Sequence, residues 1–150
     1  MQIHIITLGK NKDKALQAMI EDYLKRMAWT VVFKEIVPPQ CSDAERKSRE
    51  AELIRAALPA KAFVIALDER GDMLDSPGFA ARGDTLQQTH STVAFVIGGA
   101  DGLDEALRRQ AQMVVCFGRM TWPHMLVRLM LVEQLYRAST ILAGHPYHRV

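Results

Sequence analysis

Five short runs of β-type residues, each followed by a helix-type pattern, constrain this chain more than any other feature of its sequence. The runs cover residues 3–8, 30–37, 62–67, 92–97 and 113–117. Strands and helices in strict alternation build a mostly parallel sheet with helices on both faces. The third run is apolar throughout, as expected where both sheet faces are covered, and the fourth reads as a buried strand as well. The sequence therefore predicts a single α/β domain over residues 1–150, with no internal repeat, low-complexity tract or linker.

The intervening segments carry their own signals. Leu16, Met19, Ile20, Tyr23, Leu24 and Met27 recur at helical spacing and mark one buried face. Ser42 and Glu45 have the spacing of a capping box. They open a highly charged helix to about residue 58, whose thin apolar face (Leu53, Ile54, Ala57) predicts a surface position. Residues 68–75 read as a polar loop around Gly71, and Ser76-Pro77 as an N-cap with a first-turn proline. Gly98, Gly99 and Gly102 lead into a helix ending near residue 110. The last helix, from Pro123, is apolar on more than one face, so it runs through the core or forms a subunit interface.

Composition excludes several classes. A chain of 150 residues buries a core without staples. With 49% hydrophobic and 24% charged residues it is neither disordered nor fibrous. A net charge of +2 is compatible with a polyanionic partner but does not argue for one. Cys41 and Cys116 fit no disulfide or metal framework. Residues 123–142 have the length of a membrane span, but Arg128, Glu133 and Arg137 interrupt them, which predicts a soluble helix and no membrane partner. The opening residues lack a secretory leader, so a reducing, cytoplasmic location is expected.

Ligands of open α/β sheets bind beyond the carboxyl ends of the strands. Three loops occupy those ends, after Leu67, after Ile97 and after Phe117. Gly98-Gly99-x-x-Gly102 either serves a tight turn or lets a ligand approach the backbone. The first strand-to-helix turn lacks both G-x-G-x-x-G and a Walker pattern, which argues against an NAD-type oxidoreductase. His124 and Arg128, four residues apart, share one helix face, as a buried pair or as groups facing a site. The tail His145-Pro146-Tyr147-His148-Arg149 is either pinned by packing or able to stack on a base, bind phosphate and move protons. A zinc site from His145 and His148 lacks a completing cluster, so no metal is expected. Lys10, Lys12 and Lys14 form a solvated turn or touch RNA phosphate.

Three segments together resemble the RlmH family of ribosomal RNA methyltransferases over essentially the whole chain. They are Val64-Ile65-Ala66-Leu67-Asp68 with Gly71 and Ser76, then Phe95-Val96-Ile97-Gly98-Gly99-x-x-Gly102, then Pro123-His124-x-x-x-Arg128 through Tyr136-Arg137-Ala138 to the closing His-Pro-Tyr-His-Arg. The resemblance implies a SPOUT-type fold whose C-terminal part is threaded into a trefoil knot, an arrangement that periodicity alone would discard. It implies an S-adenosylmethionine pocket using Leu67, Gly99, Gly118, Arg119, Met120, Thr121, Trp122 and Pro123. It further implies a homodimer through the helix after Pro123, and methylation at N3 of a pseudouridine in large-subunit ribosomal RNA. Ala100-Asp101 stands where relatives commonly have Pro-Glu, so the carboxylate is one methylene shorter.

Methyl transfer from a sulfonium needs alignment, desolvation and loss of the N3 proton. The expected catalytic set is His148 or a neighbouring group assisting proton removal, Arg149 and Arg128 stabilising charge on the ring carbonyls or holding phosphate, Tyr147 packing beside the base or cofactor, and His124 as a second candidate or an orienting group. The competing expectation is a non-catalytic RNA- or ribosome-binding module that uses the same basic residues and tail.

Overall fold

The computed structural model describes residues 1–149. Its element order is β1 (Gln2–Leu8), α1 (Lys14–Arg26), β2 (Thr30–Ile36), α2 (Asp43–Ala57), β3 (Phe63–Met73), α3 (Ser76–Thr89), β4 (Thr92–Ile97), α4 (Glu105–Gln110), β5 (Met113–Cys116) and α5 (His124–Leu142). The five strands form one sheet in the order β2-β1-β4-β3-β5, with every neighbouring pair parallel.

Strand alternation divides the core in two. Ile3 and Ile5 of β1, Val93 and Phe95 of β4 and Ile65 of β3 face α1, α3 and α5, where Ile20, Phe79, Leu131, Val132 and Leu135 meet them. Ile6, Leu8, Ala66, Ala94 and Val96 face the other way, onto Ala51 and Ile54 of α2 and Leu103 and Leu107 near α4. The result is three layers, with α1, α3 and α5 on one face of the sheet and α2 and α4 on the other.

Three local expectations are corrected. Residues 68–73 continue β3 instead of forming a loop. Val115 of β5 pairs first with Leu67 and again with Asp72, so residues 68–71 bulge out of a strand that then resumes. Asp68 holds the bulge by accepting the backbone N–H and the Nε–H of Arg70, at 3.0 and 2.9 Å. Gly71 is required there, because a Cβ would lie 2.7 Å from the backbone of Val114 and Val115.

Ser42 and Glu45 form no capping box. Ser42 makes no side-chain bond, and the first turn of α2 closes through its carbonyl to the Glu45 N–H. The face of α2 that meets the sheet is Glu50, Ala51 and Ile54, while Leu53 is exposed. Finally, α3 is capped one residue earlier than expected. Asp75 accepts the Gly78 N–H at 2.7 Å, and Ser76 is released to donate to Gln134 Oε1 of α5.

The chain leaves β5 at the outer edge of the sheet, yet α5 starts beside β1 and β2, where Arg128 holds the carbonyls of Leu8 and Gly9. Residues 117–123 therefore cross the carboxyl ends of β3 and β4 before the helix begins. No helix is long and apolar enough to cross a membrane among the described residues.

Candidate functional site

The carboxyl ends of three adjacent strands, β4, β3 and β5, surround a cleft of about 500 Å³. One wall is the β3 bulge, with Leu67, Asp68, Glu69 and Arg70. A second is the glycine loop from Ile97 to Leu103. The third is the β5–α5 crossing, from Val115 to Gly118 and from Met120 to Trp122, and His124 and Val127 close it from α5. Of the eight residues expected at a cofactor, Leu67, Gly99, Gly118, Met120, Thr121 and Trp122 converge here. Arg119 projects into solvent from the same loop, and Pro123 serves as the N-cap residue of α5.

The glycine loop is built by contact. Gly102 donates its N–H to the Gly99 carbonyl at 3.0 Å, closing a turn with Ala100-Asp101 at its tip. A Cβ on Gly98 would fall 2.8 Å from the Gly102 carbonyl carbon. Beneath the loop, a Cβ on Gly99 would meet the Glu50 carboxylate at 3.3 Å. Burial, then the nearby Asp101 charge, push the Glu50 carboxyl above the usual carboxylate range. On the opposite wall the bonds from Arg70 overcome the effect of burial and hold the Asp68 carboxyl below that range. The crossing is locally fixed too, since Trp122 donates its indole N–H to the Phe117 carbonyl and the Cys116 thiol donates to the Gly118 carbonyl.

His124 lines the cleft with a buried Nδ1 that has no hydrogen-bond partner. Burial, followed by the Arg128 charge, lowers its pKa and keeps the ring neutral. Arg128 itself does not face the cleft. Its side chain is 1% exposed, with Nη1 donating to Glu35 Oε2 at 2.9 Å and Nη2 to the Leu8 and Gly9 carbonyls at 2.6 and 2.9 Å. The expectation that Arg128 stabilises reacting charge is corrected accordingly, because its guanidinium ties α5 to the ends of β1 and β2.

The tail lies elsewhere on the same chain. Gly144, at φ +67°, ends α5 in a Schellman arrangement, with His145 N–H to Thr140 carbonyl and Gly144 N–H to Ile141 carbonyl. The chain then turns back along α5. Tyr147 stacks edge-on to Tyr136, donates its hydroxyl to Glu133 Oε1 at 3.1 Å and lies under the Arg137 guanidinium. Burial and the bonds to Tyr23 and Glu133 push its phenol well above the ordinary range. His148 Nδ1 lies 3.2 Å from Arg137 Nη1. Arginine can only donate, so Nδ1 accepts and the ring proton is on Nε2. Arg149 is exposed, and Val150, the last residue of the expected tail, lies outside the described residues.

A second concavity, an apolar groove of about 700 Å³, runs between α1, α3 and α5 and is lined by Met19, Tyr23, Phe79, Met130 and Glu133 among others. Tyr23 and Glu133 are the groups that bind the tail. Cys116, Phe117 and Gly118 line both groove and cleft, so the β5–α5 crossing is their common wall. Sequence reasoning placed the segment after Leu67 among the candidate ligand loops but named none of Asp68–Arg70 as a site residue, because their polarity read as an ordinary loop. It also missed Lys47, which reaches the cleft from a helix with no motif to mark it. No group of three or more His, Cys, Asp and Glu among the described residues is arranged to hold a metal ion.

The fold has counterparts among solved structures. A probable methylase family protein from Haemophilus influenzae superposes over 99% of this chain and 70% of its own, with TM-score 0.56 at 12% identity. A probable methyltransferase from Bordetella pertussis does so over 91% and 95%, with TM-score 0.54 at 16% identity. Residues 1–148 match the family described as Predicted SPOUT methyltransferase, which gives the class. Ribosomal RNA large subunit methyltransferase H of Rhodospirillum centenum is 48% identical over 99% of both chains. The protein of the same name from Ruegeria pomeroyi is 47% identical over the full length of both. The chain belongs to the RlmH family of SPOUT methyltransferases.

Proposed function

We propose that this protein transfers a methyl group from S-adenosylmethionine to N3 of a pseudouridine in large-subunit (23S) ribosomal RNA, acting in the cytoplasm on the assembled ribosome. The observation that carries this reading is the convergence of six expected cofactor residues on one cleft at the carboxyl ends of β4, β3 and β5. Relatives nearly half identical over their full length are ribosomal RNA methyltransferases by name.

The cleft fits the cofactor. Its volume lies in the range of small-molecule sites. Gly98, Gly99 and Gly118 leave bare backbone along the lining, and the unpartnered His124 Nδ1 waits for a hydrogen bond. Leu67, Gly99, Gly118 and the stretch to Trp122 would hold it, with Arg119 and Pro123 placing that stretch. When bound it supplies an activated methyl group on a sulfonium, open to in-line displacement. The chain excludes water with Leu67, Ile97, Phe117 and Val127, and His124 orients the bound molecule as a neutral group. The crossing of residues 117–123 over β3 and β4 is the passage that a trefoil knot would require.

The target base needs groups the cleft of one chain lacks. Tyr147, His148 and Arg149 sit beside the groove, separated from the cleft by the β5–α5 crossing. A homodimer formed along the groove and α5 would bring the tail of the second copy to this shared wall. Arg149 would then hold charge on the ring carbonyls or a phosphate. Tyr147, kept protonated, packs and donates. His148, with its proton on Nε2, offers a donor edge first, and becomes a base for the N3 proton once Arg137 releases Nδ1.

The test is calorimetric titration with S-adenosylmethionine, with NAD as control, followed by methylation of large ribosomal subunits and mapping of the product. Binding of S-adenosylmethionine alone and a new N3-methylpseudouridine are expected. Retention of ribosome binding without cofactor binding would replace the enzyme by a binding module of the same fold.

A further inference from the structure

Cations are unevenly engaged in this molecule. Most arginines pair with a carboxylate. None of the seven lysines makes an ion pair among the described residues, and three of them, Lys10, Lys12 and Lys14, stand together and exposed in the turn between β1 and α1. The residues between them are occupied instead. Asn11 gives its N–H to Glu35 Oε2 and its side-chain amide to Gln17. Its own oxygen takes the Asp13 N–H at 3.0 Å, and Asp13 caps α1 through Leu16 N–H at 3.0 Å. The odd residues thus lock the turn, and the lysines alternate outward from a fixed backbone.

That turn is tied to the wall of the cleft. Glu35 Oε2, which holds Asn11, also takes Arg128 Nη1, and Arg128 Nη2 binds the Gly9 carbonyl. A Cβ on Gly9, whose φ is +80°, would lie 3.9 Å from the Met125 terminal methyl, so the turn faces that side chain. Met125 belongs to the first turn of α5, whose His124 and Val127 line the cleft. Three ammonium groups are therefore presented beside the site, at the same end of the sheet. Two carboxylates that hold the turn, Asp13 and Glu35, are already hydrogen-bonded. A row of exposed lysines on a hydrogen-bonded backbone suits spaced phosphates.

We infer that the turn at residues 9–14 is the phosphate-contacting element that seats ribosomal RNA beside the cleft. The inference rests on the proposed reading of the site as an rRNA methyltransferase and adds the face by which the substrate is held. Ordering by Glu35 and Arg128 means that RNA seated on the turn is registered against α5 and so against the cleft.

The experiment compares wild type with the triple variant Lys10→Ala/Lys12→Ala/Lys14→Ala. Affinity for purified large ribosomal subunits lacking the modification is measured over a range of salt concentrations. Each lost phosphate contact lowers the log–log salt slope by roughly 0.7 to 0.9, so the triple variant should lose about 2 to 3 in slope. Its affinity near physiological salt should fall about tenfold or more, with S-adenosylmethionine binding unchanged. The Lys→Arg triple should keep the wild-type slope. A control triple, Lys25→Ala/Lys61→Ala/Arg82→Ala, removes the same charge away from the turn and should stay within about twofold of wild type. An unchanged slope and affinity in the turn variant overturns the assignment, as does an equal loss in the control. Wild type that binds cofactor but not the subunits overturns the ribosomal reading together with this one.

Discussion

Arg128 and Glu35, 93 residues apart in sequence, meet at 2.9 Å where the ends of β1 and β2 receive the first turns of α5. The same guanidinium takes two backbone carbonyls, and the same carboxylate takes the Asn11 N–H. Two strands, a turn and the helix that borders the cleft are thereby fastened at one point. Replacing Arg128 with Met keeps the apolar stem but leaves two carbonyls without this donor and Glu35 with the Asn11 N–H but no cation. Removing one partner of a buried pair costs about 3 to 5 kcal/mol, and Glu35, partly exposed, places this variant towards the lower figure. Denaturant titration should show a lower midpoint at unchanged slope. A loss below about 1 kcal/mol would mean that the clamp is not structural.

His124 gives the protein an acid-side sensitivity. Its folded pKa lies below its ordinary value of 6.5, so in the interval between the two the unfolded chain takes up a proton that the folded chain refuses. Stability is fully present above about 6.5 and declines as pH falls through that interval, levelling off beneath the folded value. The His124→Gln variant lacks the group, so its stability should lose less between pH 7 and the acid side of that interval. Parallel pH profiles for the two proteins would sink this account.

The glycine loop should tolerate no side chain at position 98. A Cβ there meets the backbone carbonyl carbon of Gly102 at 2.8 Å, and backbone cannot swing aside as a flexible side chain can. Overpacking of this kind costs about 1 to 3 kcal/mol. The turn that walls the cleft would shift, so Gly98→Ala should lose at least tenfold in S-adenosylmethionine affinity by calorimetry while remaining folded. At Gly99 the obstacle is the Glu50 side chain at 3.3 Å. Gly99→Ala should be milder for that reason, and rescued in part by Glu50→Ala. An equal loss at both positions, with no rescue, would count against the loop geometry.

How far the sequence foretold this arrangement depended on whether a signal was local. The helical face of α1, the bounds of β4 and the start of α5 followed from periodicity and flanking residues, and the candidate cofactor stretch came from family likeness. The β3 bulge did not, because Asp68-Glu69-Arg70-Gly71-Asp72 has loop composition and is recruited into a strand only by β5 alongside it. Ser42 and Glu45 had the right spacing for a capping box, but spacing does not compel a bond that the backbone can make instead. The role of Arg128 depended on Glu35, Leu8 and Gly9, whose nearness comes from sheet order. Lys47 reached the cleft and Glu50 the glycine loop through the packing of α2 against β1 and β2, again a tertiary fact.

The tail separates anchoring from chemistry, and two substitutions should tell them apart. Tyr147 donates to Glu133 Oε1, which also accepts Arg137, and its ring packs on Tyr136. Tyr147→Phe keeps the ring and leaves Glu133 with Arg137, so the loss should stay near 1 kcal/mol of stability. Because the phenol is held protonated, it cannot serve as the base, and most of the methylation rate should survive in this variant. His148 has one engaged nitrogen and one free edge, and its removal leaves the anchor of Tyr147 in place. His148→Ala should therefore fall at least a hundredfold in kcat, within the span of acid–base contributions, at unchanged S-adenosylmethionine affinity. If Tyr147→Phe abolished activity while His148→Ala kept it, the proton would have to leave by way of the phenol and the assignment of the tail would be reversed.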